Sequence, residues 1–306
     1  MQAFVRTDSS SNHVEIADVA VPEISNNEVL VQVEAFGVGI HDRFFIPKNT
    51  DFPYPIGTEG AGKIVQTGKQ VTDFAVGDRV IFMTTLQPKG GAWAAYAVTD
   101  QTALIPMPDA LSFQQGAAIP VAGNTALESM RSLSLNEGDS LFIAGASGAI
   151  GTFVIQLAAA KGIHVAGSAS AQNHDYMESL GAEKTVDYHD PDWQTHINEW
   201  SNGGVTAALA IQPETGKDSM DIVKDSGRVI TVSGGQFEAE RDITVEQIGH
   251  HDDSQKEVIQ LVQNIADDKI KLVIENAYPF EQGLDALQKT ETRHARGKLV
   301  VTRPSE

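Results

Sequence analysis

The chain has 306 residues, of which 41% are hydrophobic and 21% are charged, a mixture typical of a globular protein with enough apolar material for two domains. It contains no cysteine, which excludes disulfides and every zinc site built on thiolates. With 22 basic and 41 acidic residues the formal net charge is −19, and such a surface repels nucleic acids and anionic membranes. No apolar run is long enough to span a membrane and the first residues lack a signal-peptide core, so a cytoplasmic protein is expected.

The first part of the chain, residues 1–120, predicts a mostly antiparallel β domain. Its apolar and alternating runs are short and are separated by turns such as GTEGAG, FAVGD and PKGG. The predicted strands are 29–38, 61–71, 79–83 and 94–98. Nothing in this part repeats the strand–helix–strand pattern of a parallel sheet, which indicates a separate domain.

From residue 121 the pattern changes to strands that alternate with helices, which predicts a doubly wound parallel sheet over residues 121–268. The predicted helices are 126–133, 152–160, 174–180 and 256–267, and the predicted strands are 141–144, 165–167, 185–186, 206–211 and 229–232. The last stretch, 269–306, holds one helix between two strands. We expect its final strand to return to the first domain.

The segment 140–161, SLFIAGASGAIGTFVIQLAAAK, combines an apolar strand, a turn of small residues and a helix with apolar residues at helical spacing. Gly148 and Gly151 occupy the last two glycine positions of a G-x-G-x-x-G motif, with Ala146 at the first. The free N–H groups and the dipole at the start of such a helix suit a pyrophosphate. A second apolar strand follows at 163–168, so the complete βαβ unit favours a dinucleotide site over a purely structural turn.

The end of the second predicted strand indicates which dinucleotide binds. Sites selective for NAD place Asp or Glu there to bind the ribose 2′-hydroxyl, whereas this chain has Ser168, Ala169 and Ser170. A carboxylate would repel a 2′-phosphate, while hydroxyl and backbone N–H groups accept one. These residues therefore favour NADPH over NADH.

Seven landmarks follow one another along the chain, namely FAVGDRV, GAWAAY, AAIPVAGNTAL, AGASGAIG, LGAEKTVDY, GRVITVSG and HARGKLVVT. In this order they closely resemble the zinc-independent medium-chain dehydrogenase/reductase superfamily, and within it the quinone oxidoreductase (zeta-crystallin-like) branch. The resemblance implies an α/β fold in which a Rossmann domain is inserted in a GroES-like β-barrel domain built from both chain ends, with the active site in the cleft. It also implies a homodimer paired through an edge strand of the Rossmann domain. The run GRVITVSG is apolar enough for that edge, and equally for burial inside the sheet.

The metal ligands of the superfamily's zinc enzymes are missing from this sequence. Where those enzymes have an early Cys and a His before Glu, this chain has Ile40 and Thr58, and it lacks the four-cysteine structural lobe. His41 and Glu59 remain as donors, but two donors do not make a closed zinc site. We therefore expect no metal, and without a Lewis acid the natural chemistry is hydride addition to an electron-poor acceptor.

The resemblance also implies which residues contact the cofactor. In the family, small polar residues after the second strand hold NADPH together with a tyrosine, matched here by Tyr188, and a lysine, for which the stretch QNHDY offers no match. Tyr188 suits a cap packed on the sheet edge equally well. Asn124 and Thr125 are expected to open the helix that faces the nicotinamide, where Thr125 also suits a helix cap. The contacts assigned by position are Asn124, Thr125, Ser147, Gly148, Ala149, Ile150, Ser168, Ser170, Tyr188, Ser233, Gly234, Gly235 and Lys298.

The active centre has a weaker signature in the sequence. Hydride transfer to an enone or quinone leaves negative charge on oxygen, so a hydrogen-bond donor must stand within reach of that oxygen. Tyr54, in FPYPIGTEG, is the first candidate for a substrate-facing catalytic donor, and His41 is the second. Asp42 stands at the family's usual Asp position and is interpreted as a structural turn or salt-bridge residue. Ile40 and Gln212 depart from the family's pattern, so its pocket shape cannot be transferred.

The leading hypothesis is a zinc-independent, NADPH-dependent reductase of small-molecule quinones or α,β-unsaturated carbonyls. An enoyl-thioester reductase of the same superfamily is one alternative, but a CoA or carrier arm calls for a basic cluster, and Arg43, Lys48 and Lys89 are scattered. A non-enzymatic NADPH-sensing or RNA-binding protein is another alternative, and the net charge of −19 argues against nucleic acid.

Overall fold

The computed structural model describes residues 1–48, 50–84, 87–235, 237–249 and 255–303, and the chain divides into two compact units. The first unit consists of Met1–Val121 and Gln255–Glu306, and the second of Ala122–Ser254. The return to the first unit therefore comes earlier than the predicted residue 269. The reason is the helix that begins at Gln255, whose side-chain amide donates a hydrogen bond to the carbonyl oxygen of Leu104 at 3.1 Å within the first unit.

The described residues form sixteen strands and eight α-helices. The strands are β1 Gln2–Arg6, β2 Val14–Asp18, β3 Glu28–Val38, β4 Tyr54–Pro55, β5 Glu59–Thr67, β6 Arg79–Met83, β7 Tyr96–Asp100, β8 Leu104–Pro106, β9 Ser140–Ala144, β10 His164–Ser168, β11 Lys184–Val186, β12 Val205–Ala210, β13 Val223–Thr231, β14 Thr244–Gln247, β15 Ile274–Pro279 and β16 Lys298–Thr302. The helices are α1 Phe113–Ala117, α2 Pro120–Leu133, α3 Ala149–Ala159, α4 His174–Ser179, α5 Trp193–Trp200, α6 Gly216–Asp221, α7 Gln255–Ala266 and α8 Gly283–Glu291. Among these described helices, none combines the length and the apolar composition that crossing a membrane requires.

The described residues of the first unit form two sheets, in which most strand pairs are antiparallel. The smaller sheet has the order β2, β1, β4, and the larger has the order β15, β16, β3, β5, β6, β8, with β7 also pairing with β3. β16 lies antiparallel to β3, with Leu299 opposite Val38, so the end of the chain returns to the first domain as predicted. The core of this unit contains a cluster of aromatic rings, in which Phe36 and Trp93 stack with centroids 4.8 Å apart.

The second unit is built on a six-stranded parallel sheet with the order β11, β10, β9, β12, β13, β14. Counted from β9, this is the order 3-2-1-4-5-6 of a dinucleotide-binding Rossmann fold. Leu141, Phe142 and Ile143 in β9 are fully buried, as expected for a central parallel strand whose two faces are both covered. The predicted doubly wound sheet is therefore confirmed.

Two features differ in position from the sequence prediction. Helix α2 begins at Pro120 rather than at residue 126, so Asn124 and Thr125 lie in its second turn and do not open it. Proline suits a first helical turn because the N–H that it lacks would have no partner there. The run 227–234 is not at a sheet edge, because β13 lies between β12 and β14, and the edge strands are β11 and β14.

Candidate active site

The turn between β9 and α3 has the geometry of a phosphate-binding helix start. β9 ends at Ala144, Gly148 is the N-cap of α3 with φ −80° and ψ 176°, and no side chain of the described residues caps this helix. The first N–H groups of the helix lack intrahelical partners, and together with the helix dipole they favour an anion. The predicted contacts Ser147, Gly148, Ala149 and Ile150 all lie in this one turn.

Glycine at position 151 lets α3 pack closely on the preceding turn. A Cβ at Gly151 would lie 2.5 Å from the carbonyl oxygen of Ala146, a separation that real Cβ atoms do not show. At Gly148 the nearest such atom would be the carbonyl oxygen of Gly145, at 3.6 Å, so packing does not require glycine there. The missing Cβ of Gly148 leaves room for a ligand to approach the backbone.

After β10, the structure brings two of the predicted cofactor residues together. Oγ of Ser170 lies 3.4 Å from the hydroxyl oxygen of Tyr188, which is 44% exposed. Ser168 is buried at the end of β10, and its carbonyl oxygen accepts a hydrogen bond from the N–H of Ala146 at 3.1 Å. Two hydroxyl groups are therefore side by side where the motif predicts the 2′-phosphate.

The carboxylate of Asp187 lies next to this hydroxyl pair and is a residue that the sequence analysis missed. Asp187 accepts hydrogen bonds from the backbone N–H of His189 at 3.0 Å and from the N–H of Ala171 at 3.1 Å, and Nδ1 of His189 is 2.8 Å from it. These contacts, led by the backbone N–H of His189, lower the pKa of Asp187. The available signal was its place in VDYHD, beside Tyr188. An ionised carboxylate there opposes the binding of a second anion.

The remaining predicted contacts of the second unit lie after β13 and on α2. The hydroxyl of Ser233 donates a hydrogen bond of 2.6 Å to a backbone carbonyl just after β12. Gly234 and Gly235 have φ +75° and +137°, which favour glycine, and both line a cavity of about 490 Å³. Asn124 and Thr125 are partly buried in the second turn of α2.

In the first unit, Asp42 closes the turn that carries His41. Oδ2 of Asp42 accepts a hydrogen bond from the N–H of Gly39 at 2.6 Å, and Oδ1 accepts one from the hydroxyl of Thr58 at 2.9 Å. Burial raises the pKa of Asp42 to about 6, although the charge of Lys298 and both hydrogen bonds oppose that rise. Asp42 is thus a turn residue, as interpreted from the sequence.

His41 is exposed, and its ring stacks on that of Phe45 with centroids 5.1 Å apart and 16° between the planes. Partial burial of the imidazole lowers the pKa of His41, and the positive charge of Arg293 lowers it further. The neutral ring is therefore favoured near pH 7. A neutral imidazole has one N–H to donate and one nitrogen to accept.

Tyr54 is not the substrate-facing donor that the sequence analysis ranked first. Its side chain is buried, and its hydroxyl donates a hydrogen bond of 2.8 Å to the carbonyl oxygen of Gln87. Burial raises the pKa of Tyr54 to about 12. Because its only O–H is used inside the first unit, Tyr54 acts as a structural tyrosine.

Lys298, which was predicted to contact the cofactor, lies in an ion pair inside the first unit. Its ammonium forms a buried ion pair with Oε1 of Glu59, while Oε2 of Glu59 accepts a hydrogen bond from the N–H of Val121 at 2.8 Å. Both carboxylate oxygens of Glu59 are therefore engaged.

The donor set does not fit zinc. Glu59 is engaged on both oxygens, and Thr58 donates its hydroxyl hydrogen to Asp42. Ile40, at the position of the early cysteine, has no donor atom in its side chain. Over the described ranges, no group of three or more His, Asp or Glu side chains is arranged to hold a metal ion.

The chain is similar to known oxidoreductases over nearly its whole length. Two family models match, an alcohol dehydrogenase GroES-like domain over residues 25–109 and a zinc-binding dehydrogenase domain over residues 180–301. A chloroplastic quinone-oxidoreductase homologue of Spinacia oleracea is 28% identical, covering 94% of this chain and 93% of its own. A chloroplastic NADPH-dependent alkenal/one oxidoreductase of Arabidopsis thaliana is 29% identical, covering 93% of this chain and 74% of its own. The solved quinone oxidoreductase from Coxiella burnetii is 25% identical, with a TM-score of 0.87 and 99% of each chain covered.

The GroES-like model falls within the first unit, and the dehydrogenase model covers part of the second unit together with part of the segment that returns to the first. The chain belongs to the medium-chain dehydrogenase/reductase superfamily. Within that superfamily it belongs to the quinone oxidoreductase branch, as the order of its landmarks predicted, and it is an oxidoreductase.

Proposed function

We propose that this chain is an NADPH-dependent, zinc-independent reductase that transfers hydride to quinones or α,β-unsaturated carbonyls. One observation carries the proposal. The uncapped start of α3 follows β9, and the hydroxyl pair joins Ser170, after β10, to Tyr188, after β11. A Rossmann sheet binds its dinucleotide at these carboxyl ends of its strands. The names of the Spinacia and Arabidopsis relatives support quinones and alkenals or alkenones as acceptors, and the name of the Arabidopsis relative supports NADPH as the cofactor.

The residues present fit NADPH. The N–H groups of residues 149–151 would hold the pyrophosphate, and the hydroxyls of Ser170 and Tyr188 would donate to the 2′-phosphate. Gly234 and Gly235, in the turn after β13, would border the nicotinamide ribose. When bound, NADPH supplies the hydride.

The preference for NADPH over NADH should be narrower than in an enzyme that has the family's lysine. The stretch QNHDY offers no lysine, and a missing charge-assisted hydrogen bond costs about 1.5–3 kcal/mol. The ionised Asp187 also lies beside the hydroxyl pair and holds the N–H of Ala171. Both features act against the doubly charged phosphate.

Among the residues of the first unit, His41 is the donor to the acceptor oxygen. Its neutral imidazole is exposed and carries one N–H, and it is held by the turn that Asp42 closes. Negative charge grows on the carbonyl or quinone oxygen as the acceptor is reduced, and a donor aimed at that oxygen stabilises the transition state. Tyr54 is not proposed for this role, because its O–H is donated to Gln87.

The proposal is tested with purified protein, by titrating NADPH and NADH against cofactor fluorescence and by measuring turnover. The acceptors are 9,10-phenanthrenequinone, a short 2-alkenal and crotonyl-CoA, each with and without a chelator. We expect tighter binding of NADPH than of NADH, and turnover of the quinone or alkenal that a chelator does not change. Preference for crotonyl-CoA would favour the enoyl-thioester alternative, and tight NADPH binding without any turnover would favour a sensor. A loss of turnover with the chelator would contradict the zinc-independent chemistry.

The role of His41 is tested by a pair of variants. His41→Ala should lower kcat about 100-fold, the lower end of what removal of one oxyanion donor costs. Tyr54→Phe should keep kcat and lose about 1 kcal/mol of stability, because the partly buried carbonyl oxygen of Gln87 loses its partner. A kcat that falls in Tyr54→Phe and is unchanged in His41→Ala would identify Tyr54 as the donor.

A further inference from the structure

The ion pair between Lys298 and Glu59 lies in the interior of the first unit. The ammonium meets Oε1 of Glu59, and only 6% of the lysine side chain and 1% of the glutamate side chain are exposed. A buried charge is tolerated only when an opposite charge or hydrogen bonds compensate for the loss of water. Each of the two side chains therefore depends on the other.

The second oxygen of Glu59 holds the start of α2. Oε2 accepts the hydrogen bond from the N–H of Val121, and α2 begins at Pro120. An N–H in the first helical turn has no partner in its own helix, and a carboxylate there also interacts favourably with the helix dipole. Glu59 thus fixes the beginning of the helix that carries Asn124 and Thr125 one turn further on.

The carboxylate of Glu59 has little room to move. A Cβ at Gly37 would lie 2.5 Å from Oε1 of Glu59 and 2.6 Å from the carbonyl oxygen of Ala117, so the backbone of β3 approaches as closely as glycine permits. Asp42 is a second carboxylate in the electrostatic field of Lys298, but its oxygens are used by the turn that it closes and by a threonine hydroxyl. Glu59 is therefore the carboxylate that depends on the ammonium.

We infer that Lys298 is a positioning residue, whose ammonium compensates the Glu59 carboxylate that holds the start of α2, and that it does not bind a cofactor phosphate. The inference rests on the proposed function, because the family resemblance implies that Asn124 and Thr125 on α2 face the nicotinamide of NADPH. A lysine on a phosphate acts through its own charge, whereas Lys298 acts through Glu59. Removal of the glutamate charge should therefore restore the NADPH affinity that is lost when the lysine is removed.

Removing the two charges singly and together separates these two roles. Lys298→Met leaves the Glu59 carboxylate unpaired, while Lys298→Met/Glu59→Gln leaves neither charge and keeps an amide oxygen that accepts the N–H of Val121. Lys89→Met is the control, because Lys89 pairs with Glu28 elsewhere in the first unit. The readouts are the dissociation constant for NADPH, from cofactor fluorescence, and hydrogen exchange of the Val121 amide.

Lys298→Met should weaken NADPH binding about tenfold or more and speed exchange at Val121, since breaking a buried pair from one side is costly. The double variant should return both values to within about threefold of wild type, and the control should not change them. If Lys298→Met does not fold, the double variant is compared with wild type alone, and both of its values should still lie within about threefold of wild type.

A double variant in which the Val121 amide exchanges as slowly as in wild type, but which binds NADPH about tenfold more weakly, would overturn the inference and assign Lys298 to the phosphate. If the wild type binds no NADPH, the proposed function fails, while exchange at Val121 still decides whether Lys298 acts through Glu59.

Discussion

Burial raises the pKa of Asp42 and thereby makes the stability of the fold depend on pH. Its pKa rises from 3.8 to about 6, because desolvation of a carboxylate that is only 2% exposed outweighs the charge of Lys298 and the hydrogen bonds from Gly39 and Thr58. A group whose pKa is higher in the folded than in the unfolded state binds its proton more tightly when folded. Its contribution to stability is therefore complete below pH 3.8 and is lost as the pH rises through 6.

Asp42→Asn removes this titration while it keeps an oxygen that accepts a hydrogen bond. The unfolding free energy of the variant minus that of wild type should increase by about 2–3 kcal/mol as the pH rises from about 4 to about 8. Denaturation in urea across that range measures the difference. Asp109→Asn, at an exposed carboxylate, is the control and should show no such trend. A difference between Asp42→Asn and wild type that does not vary with pH would contradict the assignment.

For Tyr54 and Lys298, the residue type alone does not reveal the partner of the side chain. Both residues have the chemistry that the proposed reaction needs, and both stand in recognisable motifs. The structure directs the tyrosine hydroxyl to Gln87 and the ammonium to Glu59. A motif identifies which side chains are present, but whether a hydrogen or a charge is free depends on partners that the motif does not contain.

At the scale of elements, the turn between β9 and α3 was predictable because its strand, turn and helix are local in sequence. The predicted helix 152–160 is observed as Ala149–Ala159, and the predicted strand 141–144 as Ser140–Ala144. Helix α2 was predicted to begin six residues too late, because its start depends on a proline and on the carboxylate of Glu59 rather than on apolar periodicity.

Two alanine substitutions in this turn should have different effects. Gly151→Ala places a Cβ against the carbonyl oxygen of Ala146 and should cost about 1–3 kcal/mol of stability. Gly148→Ala meets no atom closer than 3.6 Å and has a negative φ, so its stability should stay within about 1 kcal/mol of wild type. We expect Gly148→Ala instead to weaken NADPH binding, because its Cβ fills the space by which a phosphate approaches. Thermal unfolding and cofactor fluorescence distinguish the two effects, and equal loss of stability in both variants would refute this account.

In the molecule as a whole, the apolar run in β13 is not an edge of the six-stranded sheet: one edge strand is β11, and the other, next to β13, is β14. The N–H of Ile248 points inward, donating to the carbonyl oxygen of Thr231. Because N–H directions alternate along a strand, those of Val245 and Gln247 point outward from the sheet. We propose that the homodimer expected from the family forms through this edge.

Gln247→Pro removes one of these outward N–H groups without removing a hydrogen bond to β13. We expect wild type to be a dimer by light scattering and the variant to dissociate at a higher concentration, with an unchanged circular dichroism spectrum. Glu246→Pro, which removes an inward N–H, should lower thermal stability as well. A wild type that is monomeric at all concentrations would rule out the dimer, and a Gln247→Pro dimer of unchanged affinity would move its interface elsewhere.

Local patterns in the amino-acid sequence were enough to predict the fold class, the insertion of a Rossmann unit, the return of the last strand and the turn between β9 and α3. These features follow from periodicity and from motifs that span a few neighbouring residues, where local chemistry decides the backbone. The partners of Tyr54, Lys298 and Asp187 depend instead on how distant parts of the chain fold together. Tyr54 and Gln87 are 33 residues apart and Asp187 and Ala171 are 16 apart, while Lys298 reaches Glu59 from the opposite end of the chain. Contacts between distant segments depend on strand order and burial, which no local pattern contains.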